Sequence, residues 1–441
     1  MTAAAVLRSL DGQNGYWLKN ATLPACLIAA QTWPSTGDEL VTADLQVASG
    51  RIAAIVPAGQ AIPEPADHLA DLDGGMVWPC FTDLHTHLDK GHIWPRRPNP
   101  DGSFDGALKA VTDDRTANWT AGDVRARMEF ALRCAYVHGT SAIRTHLDSV
   151  APQHDITWPV FDELRAQWHD RITLQGSALF GIELATNDAY LSEITATVAR
   201  YGGILGCVTY PIPELDRGLE NIFAQAAEHQ LDLDFHADET ADPQAIGLRR
   251  IAEIAIATSF AGKIVVGHCC SLARQATSEI KHTLDRVAQA GITIVSLPMC
   301  NMYLQDREAG RTPRWRGVTL AHEMTARGIP VAIASDNTRD PFYAYGDLDM
   351  VEVYREATRI MHLDHPIADW PASITTTPAQ IMGLEFDGSL QTGAVADLVC
   401  FRARNWSEWL SRPQSDRIVL RNGAAIDQHL PDYRELDELL R

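Results

Sequence analysis

No two of the eight cysteines are spaced C-x-x-C, and only Cys269 and Cys270 are neighbours. That scatter argues against a disulfide framework and against cysteine-built zinc or redox motifs. It points instead to reduced thiols in a cytoplasmic protein, with Cys269 and Cys270 as buried packing. Long apolar runs are also missing. None approaches the roughly 20 residues that span a bilayer, and no basic segment leads into an apolar signal run, so neither a membrane nor secretion is expected. Basic residues are scarce: 37 Lys plus Arg stand against 57 Asp plus Glu, a formal net charge of -20. Such a chain is a poor ligand for a nucleic-acid backbone or an anionic membrane, and small neutral or cationic ligands remain. With 46% hydrophobic and 21% charged residues over 441 positions, the composition is otherwise globular and long enough for more than one domain.

What is present centres on residues 76–92, MVWPCFTDLHTHLDKGH, where an apolar run ends in two histidines one residue apart. In an extended strand residues i and i+2 face the same way, so His85 and His87 point together and form half of a metal site. The segment from Tyr16 to about Leu72 reads as short strands and turns, including a Ser-Gly turn and a Pro-rich link, AIPEPA. The far end has the same rhythm in GAVADLVCFRA and RIVLRNGAAI around Asn422-Gly423.

Between these ends, apolar strand-like runs alternate with helical stretches, the mark of βα units and a parallel sheet. Eight runs can be counted: MVWPCFTDLHTH, SAIRTHLD, ITLQGSALF, ILGCVTYP, LDLDFHAD, KIVVGH, ITIVSLP and PVAIASD. The expected fold is α/β: a (β/α)8 TIM barrel over residues 77–384, beside a small β-sandwich domain built from residues 1–76 and 385–441. In such barrels the functional groups sit at the C-terminal ends of the strands. Those ends carry His85, His87, His146, His236, His268 and Asp336. Each has a plainer reading. His236 with Glu239 suits a capped helix start, His268 a satisfied core histidine, and Asp336 a helix cap. One shared site accounts for His85, His87, His236, His268 and Asp336 together, while His146 reads as a residue behind the site or on a pocket wall.

With those residues in view, the chain resembles the amidohydrolase superfamily and, within it, the cytosine deaminase family. The resemblance rests on HTHLD after strand one, IRTHLD after strand two, HADE after strand five, GH after strand six, NMYLQDR after strand seven and SDNTRDP after strand eight. It implies one Zn2+ or Fe2+ held by His85, His87, His236 and Asp336, with Glu239, His268 and Asp336 as the catalytic, proton-handling groups. Strand four has no lysine, so the carbamylated lysine of two-metal branches is absent and one metal is implied. A dication among three neutral imidazoles and one carboxylate keeps net positive charge and lowers the pKa of water towards neutrality. Glu239 then serves as the acid that protonates the ring nitrogen and the departing amine. The H-x-E with P-C-x-x-C signature of the nucleoside and single-strand deaminases is absent.

Three positions depart from the family pattern. The glutamine that reads the ring edge corresponds to Gly181, a second aspartate after Asp336 is replaced by Asn337, and the ring-covering tryptophan by Phe342. With these three as substrate contacts, the expected activity is hydrolytic deamination of an altered or larger heterocycle. An aminopyrimidine, purine, pterin or creatinine-like ring would fit, with weak activity on cytosine. Lys90 and the SDNxRD form also resemble the N-alkylaminohydrolases that act on triazine rings, whereas Glu239 favours the deaminase branch. A non-catalytic relative of the same fold is the remaining alternative, and the intact ligand set stands against it. The family tendency to assemble makes a homo-oligomer possible. Lys90 and His146 are left without a role.

Overall fold

The computed structural model describes residues 3–9, 15–29, 37–63 and 68–440, so the Pro-rich link expected over residues 61–66 runs outside the described residues at 64. The chain divides into two compact units, one made of residues 1–82, 133–142 and 349–430 and the other of residues 83–132, 143–348 and 431–441. No described helix is long and apolar enough to cross a membrane.

The first unit holds two four-stranded sheets. In one, Arg51–Pro57, Leu40–Ala48, Tyr16–Pro24 and His68–Asp71 lie side by side in that order. The other runs Ala424–Ala425, Ile418–Arg421, Leu398–Cys400 and Val77–Pro79. Both turns foreseen from sequence form, Ser49-Gly50 with φ of 50° and 73° and Asn422-Gly423 with φ of 49° and 74°. Two successive positive φ values match the right-handed twist of paired strands, which is why Gly and Asn occupy such turns. Tyr16–Pro24 bulges between Leu18 and Ala21. Asp44 pins the bulge by accepting from Lys19 Nζ at 2.7 Å and from the Asn20 amide at 2.9 Å. A single apolar cluster, including Leu18, Val41, Leu45, Leu398, Ile418 and Leu420, draws on both sheets.

The second unit is α/β and TIM-barrel-like. Leu233–Ala237, Ile264–His268, Thr293–Ser296 and Val331–Ile333 form a parallel sheet in sequence order, with Val266 opposite both Phe235 and Ile294. Phe81–Thr86, Thr140–Asp148 and Thr173–Leu179 form a second group of three neighbours. All the strands of the parallel sheet are buried along their length, which suits a parallel sheet covered on both faces. The fourth apolar run, ILGCVTYP, is not a continuous strand. It touches its neighbours through isolated bridges, Ser177 to Ile204 and Gly181 to Val208 on one side, Leu205 to Leu233 and Val208 to His236 on the other. Gly206 lies so close to the Asp234 carbonyl that a Cβ there would collide with it. A further bridge joins Thr86 to Asp336.

Helices intervene between these runs, among them Phe104–Asn118, His154–Trp168, Leu215–His229 and Gly247–Thr258. Their ends are locally encoded: Ser103 caps the first by accepting from the Gly106 amide, as N-cap serines do. The loop that follows the paired histidines is held from behind by Arg127, which is fully buried. Its guanidinium donates to the carbonyls of Asp89 and Gly91 and to Asp123 Oδ2, the last at 2.7 and 2.9 Å. Arg96 donates to Asp123 and, through two bonds of 2.9 Å, to Asp114. The Asp123 carboxyl, although buried, is thereby held below its usual range.

Removing Arg127 leaves two buried carbonyls and part of a carboxylate without donors. Breaking one side of a buried charged network typically costs about 3–5 kcal/mol. Arg127→Met is therefore expected to lower the thermal unfolding midpoint substantially. Arg127→Lys should recover only part of the loss, because a point-like ammonium cannot replace a planar fork with fixed donors. An unchanged midpoint in Arg127→Met would show that the loop is held by other means.

Candidate active site

Four side chains from three different strand ends converge in the second unit. His85 and His87 come from the end of Phe81–Thr86 and the residue after it, His236 from Leu233–Ala237, and Asp336 from just beyond Val331–Ile333. His85 Nε2 is 3.0 Å from His236 Nε2, His236 Nε2 is 3.3 Å from His87 Nε2, and Asp336 Oδ1 is 3.1 Å from His87 Nε2 and 3.6 Å from His85 Nε2. Ligands about 2.0–2.1 Å from a tetrahedral ion stand about 3.3 Å apart, which these four separations match; His85, His87 and His236 form one group close enough to share an ion, and His85, His268 and Asp336 another. Both Asp336 oxygens are buried without a hydrogen-bond partner, as suits a carboxylate placed for a cation. Asp336 also adopts a left-handed backbone, φ 65°, which turns its side chain back at the end of the strand. Behind it, the Asp83 carboxylate accepts from the Ser335 amide at 3.1 Å and from the Ser335 hydroxyl, holding the preceding peptide in place.

The electrostatics agree with a cation site. Burial, then the neighbouring histidines, push His85 well below its usual pKa. For His87 the second cause is Lys90, and for His236 it is His146. All three are neutral, the state in which imidazole donates a lone pair. Burial raises the Asp336 carboxyl to about 7. These groups are the ones a divalent ion would draw on: three lone pairs and a carboxylate that needs a positive partner.

His146 lies behind the cluster, with Nε2 3.1 Å from His85 Nδ1 and 3.9 Å from Asp234, whose other oxygen accepts from Arg144 at 2.8 Å. It therefore orients His85 rather than facing the cavity. On the opposite side, Glu239 Oε1 is 3.4 Å from His268 Nδ1. Asn301 joins the two, its amide donating to His268 Nδ1 at 2.9 Å and to Glu239 Oε1 at 3.3 Å. With Nδ1 accepting, the proton of the neutral His268 ring sits on Nε2, which is buried without a partner. Burial, and then the Asp336 charge, raise Glu239 well above the usual carboxylate range.

His87, His236, Asp336, Glu239 and His268 border a cavity of about 420 Å3, which Gly181, Asn337 and Phe342 also line. Phe342 packs edge-on against Phe104 at 5.4 Å. Asn337 is buried and its amide is already engaged, donating to Asp340 at 2.8 Å and accepting from the Cys300 thiol at 3.4 Å. At Gly181 a Cβ would collide with the carboxylate of Glu183, so the glycine makes room for that group. Lys90, Arg115 and Asp148 form a charged wall, with Lys90 Nζ 3.6 Å and Arg115 Nη1 2.8 Å from the two oxygens of Asp148. The structure thus brings together every residue singled out from sequence. Sequence reasoning missed Asn301, Glu183, Asp83 and the Arg115–Asp148 pair. Asn301 stood at the head of the NMYLQDR motif, which was its only signal.

A family model described as "Amidohydrolase family" matches residues 162–424. A protein of Rhizobium rhizogenes (strain K84) named pterin deaminase is 58% identical over 423 residues, covering 96% of each chain. The N-isopropylammelide isopropyl amidohydrolase of Pseudomonas sp. (strain ADP) is 23% identical over 374 residues, 81% of this chain and 87% of the other. Among solved structures, 5-methylcytosine deaminase from Klebsiella pneumoniae, liganded with 5-fluorocytosine, superposes with a TM-score of 0.80 at 21% identity. That match covers 94% of this chain and 98% of the other.

The protonation states give a pH dependence. A carboxyl raised to about 7 keeps its proton in the folded, metal-free protein between its unfolded value of 3.8 and pH 7. Asp336 thus favours the metal-free fold at acid pH and loses that contribution as pH rises through this window. A cation needs the deprotonated form, so binding tightens over the same interval. The rise in thermal midpoint on adding Zn2+ to stripped protein should be larger at pH 7.5 than at pH 5.5. Equal rises at the two pH values would count against Asp336 as a ligand.

Proposed function

Because the chain belongs to the amidohydrolase family and is a hydrolytic deaminase of a nitrogen heterocycle, we propose that its substrate is a pterin, whose exocyclic amine is replaced by oxygen from water as ammonia leaves. The observation that carries this is the near full-length match to the Rhizobium rhizogenes pterin deaminase. The cavity volume supports it, since about 420 Å3 accommodates a fused bicyclic ring and lies within the usual span of small-molecule sites.

In this reading His85, His87, His236 and Asp336 hold one divalent ion, Zn2+ or Fe2+. When bound, the ion supplies the Lewis acidity that makes water nucleophilic near neutral pH. Asp336 receives a proton from the attacking water. Glu239 carries a proton to the ring nitrogen beside the attacked carbon and then to the departing amine, a role suited to a carboxyl held protonated by burial. His268, fixed by Asn301, presents its Nε2–H as a donor to the oxygen on that carbon. Phe342 covers one face of the ring, and Asn337 and Gly181 border its edge.

For the scaffold we assign a closed (β/α)8 barrel over residues 77–384, whose first residues, Val77–Pro79, pair instead with Leu398–Cys400 in the first unit's sheet. The bridges through residues 204–208 and the Thr86–Asp336 bridge support it. Residues 1–76 and 385–441 are assigned to one β-sandwich, supported by the apolar cluster shared between the two sheets.

Two measurements test the assignment. Ammonia release should give a kcat/KM for pterin at least about 100-fold above that for cytosine, the contrast expected when buried polar groups meet the wrong ring edge. A preference for cytosine would overturn the pterin reading. Glu239→Gln should retain about one metal ion per chain yet lose roughly 100-fold or more of kcat, the usual contribution of a positioned acid. Near-normal turnover in that variant would remove Glu239 from the mechanism, and two ions per active chain would overturn the single site.

A further inference from the structure

Lys90 is one of the charged cavity residues, with Arg115, Asp148 and Glu183, that this chemistry leaves without a task. It is 5% exposed, and its ammonium lines the cavity 5.1 Å from the centroid of the Phe342 ring. Its carboxylate partner is Asp148, at 3.6 Å, but Asp148 already accepts from Arg115 at 2.8 Å. Two cations therefore share one carboxylate. An ammonium has three donors, and the pair with Asp148 satisfies one at most. Burial disfavours the charged form, yet Asp148, Asp89, Asp340 and Asp336 more than offset it and keep the amine protonated. Lys90 thus brings to the cavity a charged ammonium, held charged by surrounding carboxylates, with donors that the pair with Asp148 does not use.

We propose that Lys90 is a specificity-determining residue, its ammonium donating to the ring carbonyl at C4 of the pterin, the lactam oxygen on the same pyrimidine ring as the departing amine. The assignment rests on the pterin reading. Lys90 Nζ stands over the Phe342 ring, so a heterocycle bordering Phe342 comes within reach of the ammonium, and the ring carbonyl is an acceptor it can match. As water adds to the carbon bearing the amine, electron density moves into the ring, and a fixed positive charge at that edge stabilises it. A ring carrying an amine in place of the carbonyl would set donor against donor and leave the ammonium desolvated without an acceptor. A site built to hydrogen-bond a group rejects an analogue that cannot complete the bond.

The test compares pterin with 2,4-diaminopteridine, which keeps the departing amine but carries an amine in place of the carbonyl and an unprotonated nitrogen in place of the adjacent ring N–H, so the response of the Lys90 variant, and not the wild-type ratio by itself, identifies the contact. Wild-type enzyme should show a kcat/KM for pterin at least about 100-fold higher. Lys90→Met should lower the pterin value about 100-fold, as expected for losing a hydrogen bond from a charged donor, and lower the diaminopteridine value at least about tenfold less, the two falls being compared at equal metal content. If wild type treats the two rings within about threefold, or Lys90→Met lowers both equally, Lys90 is only part of a structural ion pair and the assignment falls. Should the variant fail to fold, a wild-type ratio within about threefold still overturns the assignment. No ammonia from pterin in the wild type sinks the substrate reading and this assignment with it. Turnover of pterin without discrimination sinks the assignment alone.

Discussion

Four buried groups that repel or fail to satisfy one another unless a cation lies between them set the terms for the rest of the second unit. Three imidazole nitrogens and a carboxylate oxygen stand 3.0–3.6 Å apart. With no shared cation, lone pairs face lone pairs and Asp336 holds its proton up to about pH 7. Such an arrangement costs folding free energy, and only a scaffold that over-determines each side chain maintains it. That scaffold is visible piece by piece. Asp83 holds the peptide before Asp336, His146 backs the far nitrogen of His85, and Arg127 anchors the loop beyond His87. Strain and unmet polarity are concentrated at the strand ends, and the surrounding hydrogen bonds keep them there.

The parts of the site legible in sequence are those encoded locally. Alternation along a strand puts His85 and His87 on one face whatever the rest of the chain does. An apolar run ending in His or Asp places that residue at the mouth of a parallel sheet, which is how His236, His268 and Asp336 were recognised before any contact was known. The Ser49-Gly50 and Asn422-Gly423 turns were legible for the same reason, since two residues carry the whole signal. The fourth run was less faithful to its pattern. Its apolar residues are there, but Gly206 is pressed against the Asp234 carbonyl and the segment makes bridges rather than a strand.

What sequence did not reveal depends on groups meeting across long separations. Asn301 bridges Glu239 and His268 from 62 and 33 residues away. Asp83 reaches Ser335 over 252 residues, and nothing in the local text of either predicts it. Gly181 shows the difference most clearly. Sequence alone reads it as a lost recognition side chain, and in space the carboxylate of Glu183, two residues on, lies where a Cβ at 181 would be.

The cavity is lined both by proton-bearing groups and by a fixed ammonium, a combination that suits a reaction moving charge across a ring. Glu239, its pKa raised by burial and by the neighbouring Asp336 carboxyl, and His268, with its proton directed to Nε2 by Asn301, line the cavity together. Lys90 and Arg115 share Asp148, and Asp89, Asp340 and Asp336 add to the field that keeps the Lys90 ammonium charged. Lys90 also acts across the cavity: its field is the second cause, after burial, of the lowered pKa of His268 and of His87. A buried ammonium therefore helps keep two imidazoles neutral, one of them a proposed ligand and the other a proposed donor. A mutation at Lys90 must then be read through the histidines as well as through the substrate. Only an effect that follows the ring's carbonyl distinguishes direct recognition from this background field.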